Sequence, residues 1–140
     1  MPPEQPREQP ATPTSDSPQS VYKSRPGLQR VFRAVIYSWA GLRAAIRHEA
    51  AFRQELAVGL PLVLLASWLA PGRWQALAMV ASIVAVWVVE LLNSAVEALA
   101  DAVSVDTHPL LGRAKDLGSA AVMMSILLAT AVWVVALWPA

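Results

Sequence analysis

Cysteine is absent from this 140-residue chain, charge is sparse, and only two histidines are present. Without cysteine there is no disulfide, no Cys/His zinc framework and no thiol nucleophile. Charged residues make up 15% of the chain and hydrophobic ones 56%, a balance far from that of a soluble domain, so membrane insertion is the first expectation. No Walker-type phosphate loop, GxGxxG turn or HRD-type catalytic loop occurs, so any nucleotide chemistry here needs another kind of site. The formal net charge is only +1, and no nucleic-acid partner is expected.

What is present is long apolar runs separated by short polar breaks. Residues 1–26 are rich in Pro, Ser, Gln and Glu, with no apolar block to bury or to serve as a signal-peptide core, and are expected to form a disordered cytoplasmic tail. From residue 27 to about 47, Leu28, Val31, Phe32, Val35, Trp39, Leu42 and Ile46 recur at helical spacing with Arg30, Arg33, Arg43 and Arg47 off that stripe. This pattern predicts an amphipathic helix lying on the membrane surface, its arginines toward anionic headgroups. Spans follow at about 54–70, 74–100 and 117–138, the first containing Pro61 and the last carrying Trp133 and Trp138 at interfacial positions. PGR at 71–73 signals a tight turn, and the polar stretch 102–116, with Pro109 and Gly112, is a loop or a loop entering a helix. The expected fold is therefore an all-α membrane protein, a surface helix plus three transmembrane helices, making up one domain over 27–140. Lysine and arginine crowd the chain before the first span, which places the N-terminus and the 102–116 loop in the cytoplasm.

The second span ends in VVELLNSAVEALAD, residues 88–101. Glu90, Asn93, Glu97 and Asp101 fall at i, i+3, i+7 and i+11, on one helical face with Ser94 beside them. Such a face cannot look at lipid; ionisable groups in a span turn toward a partner or a wet cavity. A polar seam that only holds helices together is the plain alternative, but such a seam needs no pair of carboxylates two turns apart. Glu90 stands about 24 Å along the helix from Trp74, near the inner edge of the hydrocarbon, and Glu97 lies about 10.5 Å further toward the cytoplasm. The deeper carboxylate suits a general base for a lipid hydroxyl, the shallower one a hard cation such as Mg²⁺. A second metal oxygen would come from Glu49, at the cytoplasmic edge of the first span, and phosphate contacts from Arg30, Arg113 and Lys115. Each of those cations can equally be a topology determinant. His108, beside Pro109, is either an exposed loop residue or a nucleotide contact.

The segments YSWAGLRAA (37–45), EAAFRQE (49–55), ELLNSAVEALAD (90–101) and GRAKDLGSAA (112–121) resemble, in order and spacing, the signature blocks of the bacterial integral-membrane diacylglycerol kinases. The resemblance covers residues 27 to 138 and implies a homotrimer of the inner membrane, with active sites shared between subunits, that phosphorylates 1,2-diacylglycerol with ATP and Mg²⁺. It implies that Glu90 is the catalytic base and that Glu49 and Glu97 hold the metal. It assigns Arg30, Tyr37, Asp106, Thr107, His108, Lys115 and Asp116, with the two metal-binding glutamates, to ATP. It assigns Ala51, Phe52, Arg53, Gln54, Glu55, Asn93 and Ser119, with Glu90, to the lipid. Ala40 stands where members of that family carry lysine, and the Pro-rich tail is not usual among them. A sister branch phosphorylates undecaprenol; the EAAFRQE block is closer to the diacylglycerol branch. Two readings from other classes remain for comparison: an oligomeric channel, which would need polarity through the full depth of a span, and a structural adaptor, which leaves Glu90 and Glu97 unexplained.

Overall fold

A computed structural model describes residues 28–103 and 108–139; the Pro-rich tail, Asp106 and Thr107 lie outside the described residues. The apolar runs form helices throughout, α1 (Leu28–His48), α2 (Ala50–Leu69), α3 (Arg73–Val103) and α4 (Pro109–Leu137). Three of them, α2, α3 and α4, are long and apolar enough to cross a membrane. A helix satisfies its own backbone polar groups, which is what a segment surrounded by hydrocarbon requires.

The chain divides into two units at Val35 and Ile36. The described part of the first is the beginning of α1, where Leu28, Val31, Phe32 and Val35 are exposed along with Arg30. In the second unit, α1 ends at a corner made by one residue. Glu49 is extended (φ −95°, ψ 110°) between His48 and Ala50 and makes no side-chain cap. Arg53 closes the corner by donating from one guanidinium nitrogen to the Ile46 carbonyl (3.4 Å) and the Arg47 carbonyl (3.2 Å), groups that a helix C-terminus otherwise leaves unpaired. Phe52, in the first turn of α2, is only 1% exposed.

Helix α2 runs straight through Pro61, at the cost of one backbone hydrogen bond. Pro71 and Gly72 then turn the chain, and Arg73 lies over the Trp74 ring at 5.5 Å. Helix α3 is central, packing along α4 and along α2. Two close approaches fix its register. A side-chain carbon at Gly59 of α2 would sit 2.6 Å from Trp87 and 2.9 Å from Ile83, so only glycine lets these helices meet there. On the other flank the Trp133 indole N–H of α4 donates to the Met79 carbonyl (3.3 Å), and Met79 is fully buried. Helix α4 starts well before the third apolar run because Pro109 occupies its first turn and His108 caps it, the His108 Nδ1 accepting from the Leu110 N–H at 3.3 Å. Of the 102–116 stretch, the described residues thus belong to the end of α3, up to Val103, and to α4 from Pro109 onward with its cap His108.

The outward surface is apolar, with Leu64, Trp68, Leu127, Leu128 and Val135 exposed. Ser82, Ser125 and Thr130 donate to carbonyls of their own helices, at 2.7, 2.7 and 2.9 Å, and so put no unpaired donor into that surface.

Candidate active site on the polar end of α3

Beyond its first turn, the charged and amide side chains of α3 all lie in its last turns, and two of them are buried. Glu90 is 4% exposed and Asn93 9%, in a helix whose other buried residues are Met79, Ile83, Val86 and Ala100. Exposure then grows along the face: Glu97 is half-buried and Asp101 lies at the surface. The four residues do share a face, and it runs from the interior to the solvent-exposed end of the helix.

Asn93 donates its amide N–H to Glu97 Oε1 at 2.9 Å. A carboxylate only accepts, so the amide nitrogen must face Glu97 and its oxygen must face away. That oxygen is buried with no hydrogen-bond partner. It lies against Gly118 of α4, where a side-chain carbon would run into it. An unpaired buried acceptor costs about 1–3 kcal/mol, so this arrangement is kept against a stability gradient.

Glu55 joins the group from α2. Its Oε2 is likewise buried without a partner, and its backbone carbonyl accepts the Trp87 indole N–H at 3.2 Å, one helical turn from Glu90. Glu49 and Glu97 both lie near enough to Glu90 for their charges to act on it, and Glu90 acts in the same way on Glu55. Three carboxylates, Glu55 of α2, Glu97 of α3 and Glu49 at the corner before α2, therefore lie within reach of the Glu90 charge. An apolar cleft of about 510 Å³ opens beside Glu55 between α2, α3 and α4, with Gln54 and Glu55 at one end and Trp133 among its lining residues.

The remaining expected site residues fall into distinct places. The EAAFRQE block divides: Arg53 closes the corner, Phe52 is buried, Ala51 and Gln54 are exposed, and only Gln54 and Glu55 line the cleft. Lys115 pairs with Asp101 at 2.5 Å, tying the start of α4 to the end of the polar face. Tyr37, Arg113, Asp116 and Ser119 are exposed. Sequence reasoning missed Gly118, Gly59 and Trp87, whose importance rests on contacts between helices far apart in the chain.

Among the described residues no group of three or more His, Asp or Glu side chains is arranged to hold a metal ion. The donor set nevertheless fits Mg²⁺, which is commonly held by one or two carboxylates together with substrate phosphates and water. Glu97 is oriented by Asn93, and the Glu49 carboxylate is not spent on capping α2.

The family model described as prokaryotic diacylglycerol kinase matches residues 36–137. The chain belongs to the prokaryotic diacylglycerol kinase family. It is 46% identical over 112 residues to the diacylglycerol kinase of Escherichia coli (strain K12), a match covering 80% of this chain and 92% of that protein. It is 43% identical to the diacylglycerol kinase of Pseudomonas aeruginosa, over 81% of this chain and 93% of the relative. The diacylglycerol kinase of Helicobacter pylori (strain 26695) is 38% identical over 76% of this chain and 84% of its own length. The diacylglycerol kinase blocks noted in the sequence thus belong to a match that runs from within α1 to the end of α4, and the chain is an enzyme of that family.

Proposed function

We propose that this protein transfers the γ-phosphoryl group of ATP to the primary hydroxyl of 1,2-diacylglycerol, giving phosphatidate and ADP at the cytoplasmic face of a bacterial inner membrane. The observation that carries this reading is Glu90, a carboxylate 4% exposed on a membrane-length helix, one turn of α3 from Trp87 at the wall of an apolar cleft and one turn from the Asn93–Glu97 pair in the other direction. Lipid and nucleotide reach such a site from opposite directions, one through hydrocarbon and one from water.

In this mechanism the lipid oxygen forms its bond to the γ-phosphorus while the bond to the β,γ-bridging oxygen breaks and ADP leaves. Glu90 takes the hydroxyl proton during that step. Asn93 holds Glu97 in place, and Glu97 with Glu49 would hold Mg²⁺. When bound, that ion offsets the charge on the transferring phosphoryl group. Arg30, Tyr37, His108, Lys115 and Asp116, with Asp106 and Thr107, complete the ATP site, and Ala51 to Glu55 and Ser119 flank the lipid. The stripe of α1 makes it an amphipathic helix on the membrane surface, N-terminal side cytoplasmic, and the assembly is a homotrimer whose neighbouring subunits share sites.

The test is product identification. Protein purified in detergent receives labelled ATP, Mg²⁺ and equal amounts of diacylglycerol and undecaprenol. Labelled phosphatidate is the expected product. Label in undecaprenyl phosphate alone would move the chain to the sister specificity, and no lipid phosphate from either acceptor would overturn the kinase reading.

A further inference from the structure

The apolar cleft starts at Gln54, Glu55 and Trp87, one turn of α3 from Glu90, and continues along α3 past Val86 and Ile83, walled by Val58 and Leu62 of α2 and by Ala129 of α4. Its direction is away from the carboxylates and into the hydrocarbon, so a lipid whose hydroxyl sits at Glu90 has this cleft as the course for a chain. The Trp87 indole is its bulkiest α3 wall. Two contacts fix that ring: its N–H donates to the Glu55 carbonyl at 3.2 Å, and its six-membered edge lies against Gly59, where an added carbon would stand 2.6 Å away. The ring therefore has no freedom to retreat toward α2, and its position sets the width of the cleft one turn from the reacting end.

We propose that Trp87, seated against Gly59, is the specificity-determining residue for the acyl chain of the lipid substrate. It admits straight chains and disfavours chains kinked at its level. The proposal rests on the lipid-kinase reading and deepens it.

The substrates for the test are distearoylglycerol and dioleoylglycerol, equal in length and differing by a cis double bond. Trp87→Leu widens the cleft and is expected to raise the dioleoyl-to-distearoyl ratio of kcat/KM by roughly tenfold, the scale on which apolar pockets discriminate shape. Gly59→Ala pushes the indole into the cleft and is expected to lower the same ratio. The double variant should recover what Gly59→Ala loses. Opposite shifts from two residues in contact are not what general loosening of the helices would produce. If Trp87→Leu does not fold, Trp87→Phe replaces it, with a smaller rise expected.

Ratios within twofold of the parent in both variants, or moving in the same direction, overturn the proposal. An unmoved ratio with a changed oligomeric state does so too, because it shows that a second copy of the chain fills the cleft. Parent protein that phosphorylates neither lipid defeats the kinase reading instead, which keeps the two failures apart.

Discussion

The two halves of α3 meet their neighbours by opposite means. From Trp74 to Val89 the buried residues are Met79, Ile83 and Val86, and the polar contacts in this stretch end on backbone carbonyls: Trp133 to Met79, Trp87 to Glu55, Ser82 to Met79. From Glu90 onward the buried residues are Glu90, Asn93 and Ala100, and Asn93 keeps a buried oxygen with no partner. The first half satisfies every donor that its packing encloses and so acts as a fixed frame. The second half holds charge and unmet hydrogen-bonding capacity in the same helix, which costs stability unless a ligand completes it. Rigid helix next to unsatisfied polarity is the combination that a site for a charged substrate requires.

The contrast breaks most sharply at Glu90. Glu90→Gln keeps shape but cannot take a proton, and turnover is expected to fall roughly 10²- to 10⁴-fold, the usual contribution of a general base. Nucleotide binding should persist, as measured by titration calorimetry with Mg-ATP. Full activity in Glu90→Gln would remove the base from the mechanism while leaving family membership intact. Glu97→Gln comes next. It keeps an acceptor for Asn93 but removes a charge from the proposed metal site, and is expected to raise the KM for ATP about 10- to 100-fold. Excess Mg²⁺ should recover part of the loss, and an unchanged KM would put the ion elsewhere.

The helices and the polar face were legible because both are local signals. Apolar runs interrupted at PGR and at His108–Pro109 fix where helices stop and start, and a 3.6-residue period is enough to place Glu90, Asn93 and Glu97 together. The corner at Glu49 was only partly legible. The basic stripe ends near Arg47, but nothing in HEAAFRQE reveals that Arg53 reaches back to cap α1 and makes the break one residue long. That the block divides into buried Phe52, corner-closing Arg53 and cleft-lining Gln54 and Glu55 follows from tertiary geometry. Gly59, Trp87 and Gly118 were illegible for the same reason, since a glycine in a helix has no meaning until the side chain opposite it is known.

Gly118 sharpens the comparison on the polar side. An added methyl would collide with the Asn93 oxygen, so Gly118→Ala is expected to lose about 1–3 kcal/mol, as overpacking does, and to raise the KM for ATP through displaced Asn93 and Glu97. Gly112→Ala is the matched control on the same helix: nothing lies within 4 Å of the added carbon there, and helix propensity alone predicts a gain of up to about 1 kcal/mol. Thermal inactivation in detergent compares the two, and equal behaviour would mean that Asn93 is not held as described.

The smallest effect belongs to the frame. Trp133→Phe keeps the ring against α3 but removes the donor to the Met79 carbonyl. Ser82 still donates to that carbonyl at 2.7 Å, so no buried acceptor is orphaned. The expected loss is about 0.6 kcal/mol, the scale of hydrogen bonds between membrane helices. Because the contact lies far along α3 from Glu90, the KM for ATP should stay within twofold while the inactivation midpoint drops slightly. A rise in the KM for ATP without loss of stability would mean that the apolar half also tunes the polar one, and the division of α3 into frame and site would fail.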